Sequence, residues 1–491
     1  MNRTVRFHAF VTVTPLAVVL LLAIVPLVFL LTHAGATVTL EWASLWRTLA
    51  FTGGGALVGT MIGGALAVGF GTHGMPGQRW LLAAAIAPIA APPAFWWIGA
   101  TRLTTALGNA SGPAPAAIIA GLALAPVTLV LVLAAVRQLP SNVYEAARLT
   151  LRPSTRVRAI LLPLIMPSLL GGFLLTVILL LGESELPFLF GFRTVMTDVV
   201  TTFSQTFDVR RVVPLTVPLL LTITALGIAA GRPILRTVFA SSRGAQGVNP
   251  TSTSSLVRVV LALPVAAMAG PILGYTLAAL RRGAPGHAVV DTTTIFASVA
   301  EAVVCAWFTV ALVLVTAYPA RRSRAAPIFV WASLLVFCVP AGIYAIGWLA
   351  VGQSLGGYAI HPFVAHAPRG VAIAVVAFFL GYARVPRSLE DAGALAWASR
   401  VRQAHVIVLP LMVGSLAAAA ALIAALTYAD RDVASLLLAP GASRLTLNLY
   451  LASANAPSAT LGTLALVVLG GAAASLGLAA AAPAILWWRR G

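Results

Sequence analysis

About a dozen stretches of roughly 20 consecutive apolar residues run through the chain, each long enough to cross the hydrocarbon core of a bilayer. They start near Val13, Thr48, Trp80, Ala116, Pro167 and Val212, and again near Leu256, Thr294, Ala325, Val371, Leu411 and Leu461. In lipid only a helix satisfies the backbone of such a segment from within. The expected fold is therefore all-α, a polytopic membrane protein of about twelve transmembrane helices. Composition agrees: 60% of the 491 residues are hydrophobic, 9% are charged and the mean hydropathy is +0.98. A soluble domain carries roughly 25% charged residues.

All 31 basic residues are arginines, and the sequence has no lysine. A phosphate-binding loop ending in Gly-Lys-Ser or Gly-Lys-Thr cannot be built without one. The chain is therefore expected to bind no ATP or other cofactor by that device, and with no duplicated acid, His or Ser constellation of the kind catalysis needs it is not expected to be an enzyme. Its net charge of +19 sorts by topology. With the N-terminus inside and twelve spans, 21 arginines and three acids (Glu145, Glu390, Asp391) are cytoplasmic, ten arginines and eight acids are external, and Glu301 lies within a span. The cytoplasmic sum is +18 and the external sum +2. That bias is the signature of an inside face; it places both termini in the cytoplasm and removes the case for nucleic acid as a partner. Arg3 and Arg6 precede an apolar run to Leu31, longer than the roughly 7–15 residues of a signal-peptide core, so a retained first helix is expected. Cys305 and Cys338 fall within spans and read as packing residues.

The polar segment Ser241 to Ser255, rich in Gly, Ser, Thr and Asn, reads as a flexible cytoplasmic linker. It divides the chain into halves at 1–240 and 256–491. Four features recur 247 residues apart: Pro93 and Pro340, Pro163 and Pro410, Glu183 and Asp430, Glu185 and Asp432. This points to a tandem duplication. Six spans per copy give both copies the same orientation, related by an axis along the membrane normal.

Between the fourth and fifth spans the first copy reads SNVYEAARLTLRPSTRVRAILLP, Ser141 to Pro163, and the second reads SLEDAGALAWASRVRQAHVIVLP, Ser388 to Pro410. Each predicts a short amphipathic helix opened by a capping box, Asn142 with Glu145 and Ser388 with Asp391. Small residues follow, which let another protein's surface approach closely. The pattern resembles the EAA motif, E-A-A-x3-G-x9-I-x-L-P, of the inner-membrane permeases of binding-protein-dependent ABC importers. In the first copy Glu145, Ala146, Ala147, Ile160, Leu162 and Pro163 carry it; in the second Asp391, Ala392, Gly393, Ile407, Leu409 and Pro410 do. Leu151 and Trp397 stand where the motif has glycine, and Arg152-Pro153 supplies an alternative turn in the first copy.

The resemblance is to two type-1 permease domains fused head to tail, with cores at about 45–232 and 292–487, as in ferric-iron and thiamine importers. It implies a channel subunit in the cell inner membrane whose EAA segments dock into two copies of a cytoplasmic ABC ATPase, which binds the ATP. It also implies an extracytoplasmic substrate-binding protein. Ordinary basic loops with well-capped helices are the plainer alternative.

Glu183 and Glu185 follow the fifth span, and Asp430 and Asp432 hold the same place in the second copy. Either the four carboxylates ring the pathway and favour a cation through their field, or they are water-exposed helix-end acids with Arg431 neutralising one pair. Glu301, alone within a span, either lines the pathway or is a paired structural residue. Pro92-Pro93 and Pro340 kink the third span of each half. Gly55, Gly59 and Gly63 form a small-residue stripe for close helix packing. The seven histidines show no metal-ligand spacing, and His361 and His366 read as surface residues. Ferric iron or a small organic cation such as thiamine or a polyamine is the expected substrate. The rival is an ion-coupled secondary transporter with twelve spans, which calls for ionisable residues buried in mid-span.

Overall fold

The computed structural model describes residues 21–32, 41–93, 95–96, 111–137, 139, 141–240, 251–252, 255–281, 291–321, 326–356, 360–383, 385–396, 399–439, 441–455 and 458–488. The first half contains α1 (Leu21–Thr32), α2 (Trp42–Thr72), α3 (Gln78–Ile86), α4 (Pro113–Val136), α5 (Ser141–Thr150), α6 (Val157–Leu181), α7 (Glu185–Leu189), α8 (Val195–Thr206) and α9 (Val209–Ala240). The second contains α10 (Ser255–Arg281), α11 (Thr292–Ala320), α12 (Ala326–Cys338), α13 (Ala341–Ser354) and α14 (Phe363–Tyr382). It continues with α15 (Arg387–Ala396), α16 (Ala404–Ala429), α17 (Asp432–Leu437), α18 (Leu445–Asn455) and α19 (Ser458–Trp488).

The protein is an all-α polytopic membrane protein. Eight helices among the described residues are long and apolar enough to cross a bilayer, or nine if α12 and α13 form one broken span. The expected spans that depart from this are the first and third of each half. Of the first, α1 is described and residues 1–20 are not. In the third span of the first half, α3 tightens into a 3-10 turn at Ala87–Ala90 just before Pro92-Pro93, and residues 97–110 lie outside the described ones. In the second half the break is plain: α12 and α13 meet at 83°, with Pro340 extended at ψ 141° as the cap of α13. Lacking an N–H, Pro340 cannot continue the i→i−4 ladder of α12. The expected seventh span, α10, is apolar over Ser255–Gly270, shorter than the eight long spans.

Most of the expected linker lies outside the described residues. Thr251–Ser252 forms a two-residue parallel pair with His73–Gly74, a local strand contact that the all-α expectation lacked.

Hydrophobicity alone does not hold helices together in lipid, so close backbone approach has to. The glycine stripe of α2 provides it. A Cβ on Gly59 would lie 3.0 Å from the carbonyl oxygen of Gly121, and Gly55 and Gly63 face Ala117 and Ala125 of α4 in the same way. Gly63→Val is expected to destabilise the fold by more than the about 1–3 kcal/mol of ordinary overpacking, because its obstacle is the Ala125 backbone. Thermal unfolding of detergent-solubilised protein checks this, with Gly53→Val, which meets nothing within 4 Å, as the tolerated control.

The halves interlock. Gly347 of α13 packs on Pro26 of α1, and Gly69 of α2 packs on Leu261 of α10, so the first helix of each half lies on the other. Exposed Trp42, Trp46 and Phe296 at the starts of α2 and α11 form part of an aromatic belt of the kind found at a bilayer interface.

Candidate functional site

Two sets of residues stand out, one where the halves meet and one on two short helices outside the spans.

At the first, α6 and α16 each end just before a capping acid. The Glu183 carboxylate accepts the backbone N–H groups of Glu185 (2.8 Å) and Leu186 (3.1 Å), opening α7. Asp430 accepts the N–H of Val433 at 3.2 Å, opening α17. An acid at a helix start is favoured by the free N–H groups and the dipole.

The next residues meet across the halves. Ser184 Oγ donates to Asp432 Oδ2 at 2.7 Å and accepts from the Arg431 guanidinium at 3.0 Å. Arg431 also donates to its own neighbour Asp432 through Nε at 3.2 Å and lies 4.1 Å from the centroid of the Tyr450 ring. Ser184 and Arg431 are themselves 247 residues apart in sequence. The α12–α13 break closes on the same place: a Cβ on Gly182 would lie 2.8 Å from Pro340 Cγ, and one on Gly342 would lie 3.5 Å from Asp432 Cβ.

The four expected acids are thus brought into one region. Glu185 is 5% exposed, Asp430 and Asp432 are mostly buried, and Glu183 is half-buried, so they are not water-exposed helix ends. Burial is the main reason the carboxyls of Glu183, Glu185 and Asp430 sit above the usual carboxylate range, with the neighbouring charge of Asp432 adding to the effect and Arg431 opposing it.

Basic groups that sequence reasoning did not assign complete the cluster. Arg369 Nη1 and His366 Nδ1 lie 3.8 and 3.9 Å from Asp430. His366, expected at the surface, is buried within α14, because the helix begins at Phe363, ahead of the expected start near Val371, and so takes in the stretch read as an outer loop. Glu301 accepts from Arg444 Nε at 2.7 Å. Ser298, Glu301, His366, Asp430 and Arg444 contribute to the lining of a cavity of about 20 Å³, room for one water.

The second set is the pair α5 and α15. They begin at Ser141 and Arg387, one residue ahead of the expected caps. Asn142 and Ser388 therefore fall on the second residue of each helix. Glu145, Ala146, Asp391 and Ala392 are exposed, whereas Ala147 and Gly393 are buried; a Cβ on Gly393 would collide with Ile407. Of the small residues, one per helix faces outward and the other seats the helix.

Four residues after each outward acid, and hence on the same face, stands a nearly bare leucine, Leu149 at 88% and Leu395 at 91% exposure. Beyond α5 the helix breaks at Leu151 and Arg152, one residue ahead of the expected Arg152-Pro153 turn, and Pro153 starts a new helical turn. Trp397 lies outside the described residues.

Each segment then enters its span through one π-helical turn, Val157–Leu161 and Ala404–Val408. The N–H groups of Leu162 and Leu409 reach back five residues to Val157 and Ala404. Pro163 and Pro410 come next; a proline clashes with the carbonyl four residues before it, and the widened turn relieves that clash in both places. Leu162, Leu409 and Pro410 are half-buried and Pro163 is exposed. No protein-family model matches the chain, and no curated protein matches it closely enough to count as a relative.

Proposed function

We propose that the chain is the membrane-spanning subunit of an ABC importer, made of two fused permease halves, 1–240 and 256–491, in the cell inner membrane with both termini cytoplasmic. The observation that carries this reading is the likeness of α5 and α15. Each is a ten-residue helix outside the spans, with an acid and a bare leucine on its outer face and a π turn and Leu-Pro leading into a span. Two copies of a cytoplasmic ATPase bind ATP and dock there through Glu145, Ala146, Asp391 and Ala392.

Repetition inside the fold supports the duplication. Thr48 accepts the N–H of Val195 at 3.0 Å, and Ser298 accepts the N–H of Leu445 at 3.2 Å, two bonds of the same sequence separation, one in each half. Twelve spans then follow from counting α1, α10 and both third spans as membrane segments.

Substrate arrives from an extracytoplasmic binding protein and passes between the halves near Glu183, Glu185, Asp430, Asp432 and Glu301. These five carboxylates outnumber the three guanidinium groups paired with them, Arg369, Arg431 and Arg444, and that excess favours a cation, ferric iron or a small organic cation such as thiamine or a polyamine.

Membrane vesicles containing the whole assembly, offered ferric iron, thiamine and putrescine in turn, test the reading. Uptake of one of them is expected to require ATP and to be indifferent to proton and sodium ionophores. Uptake that runs without ATP and collapses with an ionophore would establish the secondary-transporter reading instead.

A further inference from the structure

Glu390 is adjacent to the outward acid Asp391 but points the other way. It is 2% exposed and bonds to groups from three other segments. Its Oε1 accepts from Arg321 Nε at 3.0 Å and its Oε2 from the Tyr382 hydroxyl at 2.6 Å. Its backbone carbonyl accepts from the Gln403 side chain. Arg321 also donates to the Tyr318 carbonyl at 2.8 Å and lies 3.8 Å from the centroid of the Tyr318 ring. Arg321 caps the end of α11 and Tyr382 is the last residue of α14. One carboxylate therefore fastens α15 to the ends of two spans.

At the corresponding positions the first half has apolar packing instead. Counting from the shared Leu139-Pro140 and Val385-Pro386, Tyr144 holds the place of Glu390 and Val136 that of Tyr382. Both belong to an apolar cluster with Leu133 and Leu139, and the Arg156 guanidinium lies 5.2 Å from the centroid of the Tyr144 ring. Apolar packing has no preferred direction and permits sliding between packed helices. Charge-assisted hydrogen bonds from a buried carboxylate fix both distance and orientation.

We propose that Glu390 is a positioning residue that makes α15 one rigid body with α11 and α14, whereas α5 pivots on apolar packing, so the two docking helices pass motion into the membrane unequally. The mechanical meaning rests on the importer reading. The unequal attachment is a property of the chain alone and is measured on it.

Nitroxide pairs on the full chain, with Cys305 and Cys338 replaced by alanine, report it: L395C with V304C for α15 against α11, and L149C with L57C for α5 against α2. All four positions are exposed. The first pair is expected to give a distance distribution at least about twofold narrower than the second, and E390A to broaden it to match. Amide exchange in α15 rises about tenfold in E390A, the signature of a local opening freed from its lock, while Y144F leaves α5 unchanged. If E390A does not fold, Y382F, which removes one hydroxyl, is expected to broaden the first pair part of the way.

Equal widths in the wild type, or a first pair unmoved by the variant that folds, overturn the proposal. In the assembly with its ATPase, vanadate trapping moves a label at V304C relative to one at L57C. E390A is expected to cut that movement by at least about twofold while ATP hydrolysis persists, an uncoupling that a merely structural role does not produce; full movement overturns the proposal. A wild-type chain that binds no ATPase defeats the importer reading while the spin-label widths still decide the attachment.

Discussion

On the proposed importer reading, replacing Leu149 and Leu395 together by arginine is expected to lower retention of the ATPase subunits by at least about 100-fold, with each single change costing about tenfold. Both side chains stand almost wholly in solvent, and burying a leucine at an interface is worth about 1.5–3 kcal/mol. A small number of such anchors dominates most interfaces. Arginine removes that gain and places a charge in the pocket meant for the leucine. Because neither leucine packs on its own protein, the thermal midpoint of the isolated chain is expected to stay within the narrow range of surface substitutions. Co-purification in mild detergent, read beside thermal unfolding, separates docking from stability. Undiminished retention with an unchanged midpoint would assign the leucines to the lipid surface and remove the strongest support for docking.

The spans were legible because lipid leaves the backbone so few choices, and α2, α4, α6, α9, α11, α14, α16 and α19 each overlap an expected apolar run, although α6 and α14 start ten and eight residues earlier than expected. The break at Pro340 was legible in kind, since a proline must interrupt the ladder, but its 83° bend depends on what packs there, namely Gly182. The two EAA-like segments were readable as short helices. Their exact starts were not, because a helix end is decided by one or two hydrogen bonds.

Glu390 was out of reach for a different reason. Its partner Arg321 lies 69 residues away, at the end of another span, and a charge next to Asp391 gives no hint from sequence that it is buried. His366 and Arg369 were hidden similarly, on a helix whose apolar score they barely alter. The meeting of Ser184 with Arg431 had a signal, their separation by the repeat distance, but it has meaning only once the two copies are placed around an axis.

That meeting carries the second large effect. In the proposed duplication, a residue on the axis between the copies faces its own counterpart, so in two identical subunits an arginine there would confront an arginine. On that reading, fusion of the copies lifts this restriction: the first half has serine and the second supplies the guanidinium that Asp432 and Ser184 share. Arg431 is 8% exposed, and removing one member of a buried ion pair costs about 3–5 kcal/mol because its partner is left charged out of water. Arg431→Met is therefore expected to destabilise the chain by about that amount. The double variant Arg431→Met with Asp432→Asn should recover a substantial part, as neither charge then remains unpaired, and the difference is their coupling energy. Ser184→Ala removes one neutral hydroxyl and should cost only about 1 kcal/mol. Ser184→Arg should be worst, since it restores the like-charge encounter on the axis that the two different copies avoid. Thermal or denaturant unfolding in one detergent ranks the four variants. Equal losses for Ser184→Ala and Ser184→Arg would mean that position 184 does not face Arg431 across the halves.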